Sequence, residues 1–350
     1  MASKRWPREI HRSLVAARGA VAERLPAGLD YLVACSGGAD SLALAATVAR
    51  AKHEGSLEGR TGAVIVDHGL QEGSAEAAAA AAQACDTLGL DPVLVMPVDV
   101  DGGNEAAARA ARYRAFDEAR AVTGVDFVLT AHTADDQAEQ VLLGLARGSG
   151  TRSLAGIPHR RARVLRPFLG LRRSDTEAVC VAEGLEPWHD PSNAQPVALR
   201  NRVRHEVLPL LRGVLGEGID DALARTARLA ARDADLLDEL AGQLLELVAT
   251  EETPRVLGGP ADRVLGRAPL VWDLERVPLR DAAPALSSRA LRLAAIAVGG
   301  RPPTAERTAA LERLAAGQGG AGPVQLDGHV SVSRERDGAG RGVVRFRGLA

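Results

Sequence analysis

The stretch Tyr31–Leu44, reading YLVACSGGADSLAL, constrains the fold more than any other. Tyr31 to Cys35 is a short apolar run that suits a buried strand. Ser36-Gly37-Gly38-Ala39-Asp40-Ser41 follows at once, and Leu42 to Arg50 has the alanine- and leucine-rich composition of a helix. Strand, glycine loop and helix in that order make a site for phosphate. Loop amides and the free N–H groups of the first helical turn point at one place, where the helix dipole favours an anion. Gly37 and Gly38 let the backbone approach without a Cβ in the way. Ser36 and Ser41 supply hydroxyl donors. Asp40 would repel phosphate by itself, so a carboxylate here suits a role in holding Mg²⁺.

The hexapeptide is not the Walker loop, which needs a lysine, and no lysine stands near it. A bare SGG would read as an ordinary strand-to-helix turn. The strand before it and the helix after it favour the phosphate reading.

The surrounding pattern predicts alternation. Helix is expected over Pro7–Leu25, strand over Gly62–Val66, helix over Ser74–Leu88 with its alanine run Ala77–Ala82, and strand over Pro92–Val98. Helix follows over Asn104–Val122, strand over Asp126–Thr130 and helix over Thr133–Arg147. Such alternation implies a parallel sheet with helices on both faces, an α/β Rossmann-like class. Ligands in such sheets sit beyond the carboxyl ends of the strands, which places Ser36, Asp67 and His132 on one rim.

From Arg147 to Arg173 the composition changes. Arg147, Arg152, Arg160, Arg161, Arg163, Arg166, Arg172 and Arg173 occur with no Asp or Glu among them. A solvated arginine face is the plainer reading, and a nucleic-acid surface is the one favoured here. A helix over Ser174–Gly184 leads to Trp188 and Pro191-Ser192-Asn193, and a second arginine-bearing helix is expected over Val197–Arg212. A boundary near Gly213–Gly218 divides the chain into a catalytic domain, 1–213, and a smaller, mainly helical domain, 218–350. Asp220–Val248 reads as one long helix, Thr253–Gly266 as irregular, and Ala283–Val298 and Thr304–Ala316 as helices. Val324–Ser333 and Val343–Arg347 would pair as a hairpin across Asp337-Gly338-Ala339-Gly340.

A length of 350 residues with 46% hydrophobic content supports two cored domains. The net charge of −2 gives no global sign of nucleic acid, so charge matters only locally. Cys35, Cys85 and Cys180 form no CxxC pair, which removes the usual support for zinc or iron–sulfur sites and fits a reducing cytoplasm. No run of about 18 apolar residues exists, so no membrane span is expected.

Four further segments bear on function. Val66-Asp67-His68-Gly69 ends the second strand; Asp67 would hold a ribose hydroxyl or a metal, or would simply cap the turn. In Asn104–Tyr113 the helical spacing puts Glu105, Arg109 and Arg112 on one face, either as a surface ion pair or as a grip on polyphosphate or RNA backbone. In Ala131–Glu139, His132 leaves the fourth strand, Thr133 caps a helix, and Asp135, Asp136 and Glu139 fill its first turns. Acids are favourable there anyway, but Asp135 and Asp136 on the phosphate rim also suit Mg²⁺ bound to pyrophosphate. The last segment is Pro191-Ser192-Asn193 with Arg200-Asn201-Arg202-Val203-Arg204.

The hexapeptide resembles the signature of the ATP pyrophosphatase superfamily, whose members cleave ATP between the α- and β-phosphates. SGGADS, VDHGL, NEAAARAARY, TAHTADDQAEQVLLGLARGSG, RPFL and DPSN with RNRVRHEVLPLL occur in one order. Together they resemble the tRNA(Ile)-lysidine synthetase family, strongly over Leu29–Leu211 and more loosely beyond, where the first C-terminal domain of that family would lie.

The resemblance implies an adenine nucleotide alpha hydrolase-like fold and a two-step reaction. ATP adenylates the C2 oxygen of the wobble cytidine of a tRNA(Ile) with anticodon CAU, and free L-lysine then displaces AMP to give lysidine. It implies that Ser36, Gly37, Gly38, Ala39 and Ser41 bind ATP, that Asp40 and Asp136, then Asp135, position Mg²⁺, and that His132, Asn104, Arg109 and Arg112 line the base. Arg152, Arg166, Arg200, Asn201 and Arg204 would contact tRNA, the second domain would dock it, and a homodimer stays open. Rival readings are a tRNA thiolase, which the missing CxxC disfavours; an ammonia-using amide synthetase, which the arginine tracts disfavour; and a silent RNA-binding protein, which the intact SGGxDS disfavours.

Overall fold

The first strands are apolar on both sides because helices cover both sides. A computed structural model describes residues 6–69, 73–100, 105–148, 150–188, 199–250 and 271–348. It falls into two units, residues 1–229 and 230–350. The first runs α1 (Arg8–Arg24), β1 (Tyr31–Ala34), α2 (Ala39–His53), β2 (Thr61–Asp67), α3 (Ser74–Thr87), β3 (Val93–Pro97), α4 (Glu105–Thr123), β4 (Phe127–Leu129), α5 (Ala134–Ala146) and α6 (Thr151–Leu154). It continues through β5 (Arg160–Arg161), β6 (Val164–Leu165), α7 (Arg173–Glu183), α8 (Leu199–Arg202), α9 (Leu208–Leu215) and the long α10 (Ile219–Val248), inside which the division falls.

The sheet order is β3-β2-β1-β4-β6-β5, parallel except for the edge strand β5. Tyr31 lies opposite Thr61 on one side and Phe127 on the other. Successive residues point to opposite faces. Tyr31, Val33, Ala63, Ile65, Phe127 and Leu129 join the core with α1, α2, α3 and α7. Leu32, Val64, Val128 and Val164 join Phe116 and Ala119 of α4 on the other face. A continuous apolar run such as Tyr31–Val33 is what a strand buried on both faces requires.

Helix α2 is buried at every position from Ser41 to Ala49, so it carries no polar face, and its small alanines let neighbouring helices approach. The alanine run is helical, with Ala78, Ala81 and Cys85 facing the core. The helix expected over Val197–Arg212 is α8 and α9 joined by a π turn at Val203–Val207. Pro209 explains the widening: its ring clashes with the carbonyl four residues back, and an extra residue in the turn relieves the clash. Strands β5 and β6 were not expected within the arginine tract; each has only two residues.

The second unit adds β7 (Val271–Glu275), α11 (Arg276–Asp281), α12 (Pro284–Ala297), α13 (Ala305–Ala316), β8 (Val324–Leu326), β9 (Val330–Arg336) and β10 (Gly342–Gly348). The expected hairpin is β9–β10, with Val332 opposite Phe346, and Asp337 accepts from the N–H groups of Ala339 and Arg341 in its turn. The domain is mainly helical, as expected, and β7 and β8 extend the hairpin to an antiparallel sheet ordered β7-β10-β9-β8. Trp272, Leu274, Val330, Val332, Val344 and Phe346 pack there against Leu291, Ala294 and Leu311 of the helices. Among the described residues no helix is long and apolar enough to cross a membrane. Leu70, Asn104, Ser149, Pro191-Ser192-Asn193 and Thr253–Gly266 lie outside the described residues.

Candidate active site

The chain passes from β3 on one side of β1 to β4 on the other, so the sheet reverses its order between β1 and β4. That switch point is where α/β sheets bind ligands. The glycine loop leaves β1 there, with the ends of β2 and β4 on either side. Gly37 has φ +80°, a left-handed conformation that glycine adopts without strain. The Ser41 hydroxyl donates to the Gly38 carbonyl at 2.9 Å and accepts the Ser36 N–H at 3.1 Å, while Trp188 N–H donates to the Gly37 carbonyl at 2.9 Å. Ser41 therefore braces the loop, and Ser36 is the exposed hydroxyl.

Asp40 stands in the first turn of α2. Its Oδ1 accepts from the Thr176 hydroxyl at 2.5 Å, and Arg173 Nε lies 3.6 Å from Oδ2. Burial pushes the Asp40 carboxyl above its usual range; Thr176 and Arg173 oppose this, and the charges of Asp136 and Asp135 add to it. Asp135 Oδ2 accepts the Arg173 N–H at 2.9 Å. The loop aspartate and the adjacent pair on α5 thus feel one another electrostatically. No three metal-ligating side chains come together among the described residues. Mg²⁺ needs fewer, because it takes one or two carboxylates together with substrate phosphates and water. Asp40 at the start of α2, beside a glycine loop without a lysine, fits that mode of binding.

Helix α5 carries the densest charge. Thr133 and Asp136 form a reciprocal capping box, in which Asp136 Oδ2 accepts the Thr133 N–H at 2.8 Å. Asp136 Oδ1 lies 3.4 Å from Arg204 Nη2. Glu139 is 1% exposed and faces Arg204 Nε at 2.6 Å and Arg200 Nε at 3.3 Å. Burial raises the Glu139 pKa, and Arg204 opposes the rise. His132 Nδ1 lies 3.0 Å from the Thr130 hydroxyl. Burial takes its pKa down to about 4; Asp136 opposes, while Arg166, Arg200 and Arg109 push the same way. His132 is therefore neutral near pH 7.

Arg109 stacks over the Tyr113 ring, 5.2 Å from its centroid. Arg112 reaches His68 Nε2 at 3.4 Å. The Asp67 carboxylate accepts the Gly69 N–H at 3.0 Å, the turn-capping alternative for that residue. A cavity of about 330 Å³ opens beside the acidic helix, with Asp135, Glu139, Arg173, Arg204, His205 and Arg212 in its wall.

The arginine tract is not one surface. Arg166 is 1% exposed; its guanidinium donates to the Pro158 carbonyl and to the Tyr113 hydroxyl, both at 2.9 Å. That corrects the expectation of a tRNA contact, since RNA has no access to a side chain so buried. Arg172 pairs with Asp221 at 2.6 Å, and Arg160 and Arg163 lie over the Phe127 ring at 5.1 and 5.7 Å. Arg152 is exposed. Arg200 and Arg204 are turned to carboxylates of the site, and Asn201 lies on the same helix between them. Thr176, Tyr113 and the buried state of Glu139 carry no local sequence signal, because each depends on a partner distant in the chain.

Residues 20–211 match the PP-loop domain family, and residues 274–348 match the TilS substrate binding domain. The tRNA(Ile)-lysidine synthase of Leifsonia xyli subsp. xyli is 48% identical over 314 residues, covering 89% of both chains. The chain belongs to the tRNA(Ile)-lysidine synthase family. Proteins of the same name from Salinispora tropica and Thermobifida fusca are 47% and 46% identical, over 89% and 90% of this chain and 90% and 91% of theirs. Among solved structures, the U34-tRNA thiolase NcsA from Methanococcus maripaludis with its [4Fe-4S] cluster superposes with a TM-score of 0.53. At 16% identity, over 63% of this chain and 80% of that one, it shows a shared fold alone. As a tRNA(Ile)-lysidine synthase family member the chain is an ATP-dependent ligase. The phosphate loop, His132, the α5 carboxylates, Arg200 and Arg204 all fall inside the PP-loop match, and the antiparallel sheet of the second unit lies largely within the TilS match.

Proposed function

We propose that the protein joins free L-lysine to C2 of the wobble cytidine in a tRNA(Ile) with anticodon CAU, through an adenylated cytidine. The carrying observation is the glycine loop at the β1/β4 switch point, with Asp40 in the first turn of its helix and Asp135 linked to Asp40 through Arg173. In the first step the C2 oxygen of the base attacks the α-phosphate of ATP, and pyrophosphate leaves. The amides of Gly37, Gly38 and Ala39 and the Ser36 hydroxyl hold the leaving phosphates, aided by the N-terminal dipole of α2. Asp40 and Asp136, with Asp135, would hold Mg²⁺, which supplies charge neutralisation of the phosphates when bound.

In the second step the lysine ε-amino group attacks C2, the C–O bond to AMP breaks, and AMP leaves. The amine must first lose a proton to a general base; His132, with its pKa down to about 4, stays neutral beside the nucleobase and is a poor acceptor for that proton. The cavity beside α5 presents both carboxylates and guanidinium groups, which suits an amino acid bearing a carboxylate and two ammonium groups. Arg109 and Arg112 flank the base. Exposed arginines such as Arg152 contribute phosphate contacts, and the second domain docks the tRNA.

The test is AMP release by the purified protein. It should require ATP, a CAU-anticodon tRNA(Ile) and lysine together, with one lysine bound per AMP. Lysine-independent turnover, or transfer of sulfur instead, would rule the reading out.

A further inference from the structure

Helix α7 contributes one face to the start of α2. Arg173, Thr176 and Cys180 are spaced three and four residues apart, so they share a side of the helix. Cys180 Sγ lies 3.3 Å from the Ala39 carbonyl, Thr176 Oγ1 lies 2.5 Å from Asp40 Oδ1, and Arg173 Nε lies 3.6 Å from Asp40 Oδ2. Thr176 is fully buried at 0% exposure, and its hydroxyl also lies 2.8 Å from the Arg173 carbonyl.

A threonine hydroxyl has one proton, and two acceptor oxygens face it here. It can donate to Asp40 or to the Arg173 carbonyl, not to both. We propose that Thr176 is a positioning residue for Asp40, one whose hydroxyl stays on Oδ1 whether or not a cation is bound. The donated proton fixes the carboxylate and offsets the pull of Arg173 on Oδ2, and the Arg173 carbonyl is the alternative acceptor when the carboxylate moves. Without the hydroxyl, Arg173 would be the remaining polar partner of Asp40, and their ion pair would compete with the metal. The inference rests on the reading of Asp40 as a Mg²⁺ ligand.

The experiment compares Thr176→Val, which keeps shape and loses the hydroxyl, with Thr176→Ser, which keeps the hydroxyl. Both the Mg²⁺ dependence of AMP formation and calorimetric titration of Mg²⁺ with ATP are read, with unfolding temperature as a control. Thr176→Val should raise the half-saturating Mg²⁺ concentration about five- to tenfold, through tighter pairing of Asp40 with Arg173. The Ser variant should stay within about twofold, and the ATP KM at saturating Mg²⁺ should barely move. If Thr176→Val does not fold, Thr176→Ala removes the same hydroxyl and is read in the same way. A Val or Ala variant with wild-type Mg²⁺ dependence overturns the proposal. So does a Ser variant shifted as far as Val, which would mean that packing matters and the hydroxyl does not. Asp40→Asn separates the two layers: if it leaves the Mg²⁺ dependence intact, the metal reading itself fails. If it abolishes Mg²⁺ response while Thr176→Val does not alter it, only the role of Thr176 fails.

Discussion

Arg204 and Glu139 stand 65 residues apart in the chain, yet Arg204 Nε lies 2.6 Å from Glu139 Oε1. Glu139 is a carboxylate with almost no solvent of its own; burial raises its pKa, and this pair with Arg200 opposes the rise. Arg200 and Arg204 of the RNRVR segment therefore support the acidic helix before they meet any RNA, while Arg202 pairs with Glu206. Arg204→Ala should lower stability by about 3 kcal/mol, the lower end for breaking a buried pair because Arg204 keeps some exposure. Glu139→Gln in the same chain should restore part of the loss. Urea unfolding of the two variants measures it, and the salt slope of tRNA binding should hardly change. A stable Arg204→Ala protein with a flattened salt slope would instead make Arg204 a phosphate contact.

Tyr113 joins two cations. Its hydroxyl oxygen receives Arg166 Nη2 at 2.9 Å and Arg109 Nη2 at 3.4 Å. Tyr113→Phe keeps the ring beneath Arg109 and leaves a buried guanidinium N–H without its acceptor, at a cost of about 1–3 kcal/mol. Chemical denaturation should show this destabilisation, and kcat should fall as Arg109 loses its anchor. An unchanged midpoint would mean that Arg166 is satisfied elsewhere.

His132 gives a signed pH dependence. Its pKa is about 4 in the folded chain and about 6.5 when unfolded. Between those values the unfolded state binds the extra proton, so stability is retained above about pH 6.5 and declines as pH falls toward 4. His132→Asn removes the titration and keeps a side chain able to meet Thr130. The difference in unfolding temperature between wild type and variant should change with pH inside that window and be flat above it. A pH-independent difference would place the imidazole in solvent.

Asp136 sits in a capping box and faces Arg204, so its loss has a structural part and a chemical part. Asp136→Asn keeps a cap acceptor and removes the charge, costing about 0.3–1 kcal/mol through the helix dipole and a further amount through the lost pair with Arg204. Adenylation should nevertheless fall about a hundredfold or more, the scale of several kcal/mol of lost transition-state stabilisation. The Mg²⁺ concentration for half-maximal rate should rise. Near-normal turnover with unchanged Mg²⁺ response would leave Asp136 as a helix cap and make Asp135 the next candidate.

What was legible in the sequence was local. The glycine loop, its strand and its helix follow from an apolar run, paired glycines and an alanine-rich segment, and the rim positions of Ser36, Asp67 and His132 follow from strand ends. Thr133 as a cap with Asp136 three residues later is also a local pattern. What depended on distant partners was not legible. Arg166 looks like its neighbours in the tract, but Tyr113 and Pro158 draw it inside. Strands β5 and β6 are too short for any periodicity to show. In β7, Trp272 and Leu274 face the core while Asp273 pairs with Arg345, a ladder that becomes visible only when β10 lies beside it.

The central claim is that the tRNA base is adenylated before lysine arrives. ATP labelled at the α-phosphate, mixed with the protein, Mg²⁺ and CAU-anticodon tRNA(Ile) but no lysine, tests it most directly. The account predicts label on the tRNA at the wobble cytidine, released as AMP when lysine is added, with pyrophosphate formed in the first stage. Label that never joins the tRNA, or ATP cleaved to ADP and phosphate, would contradict it.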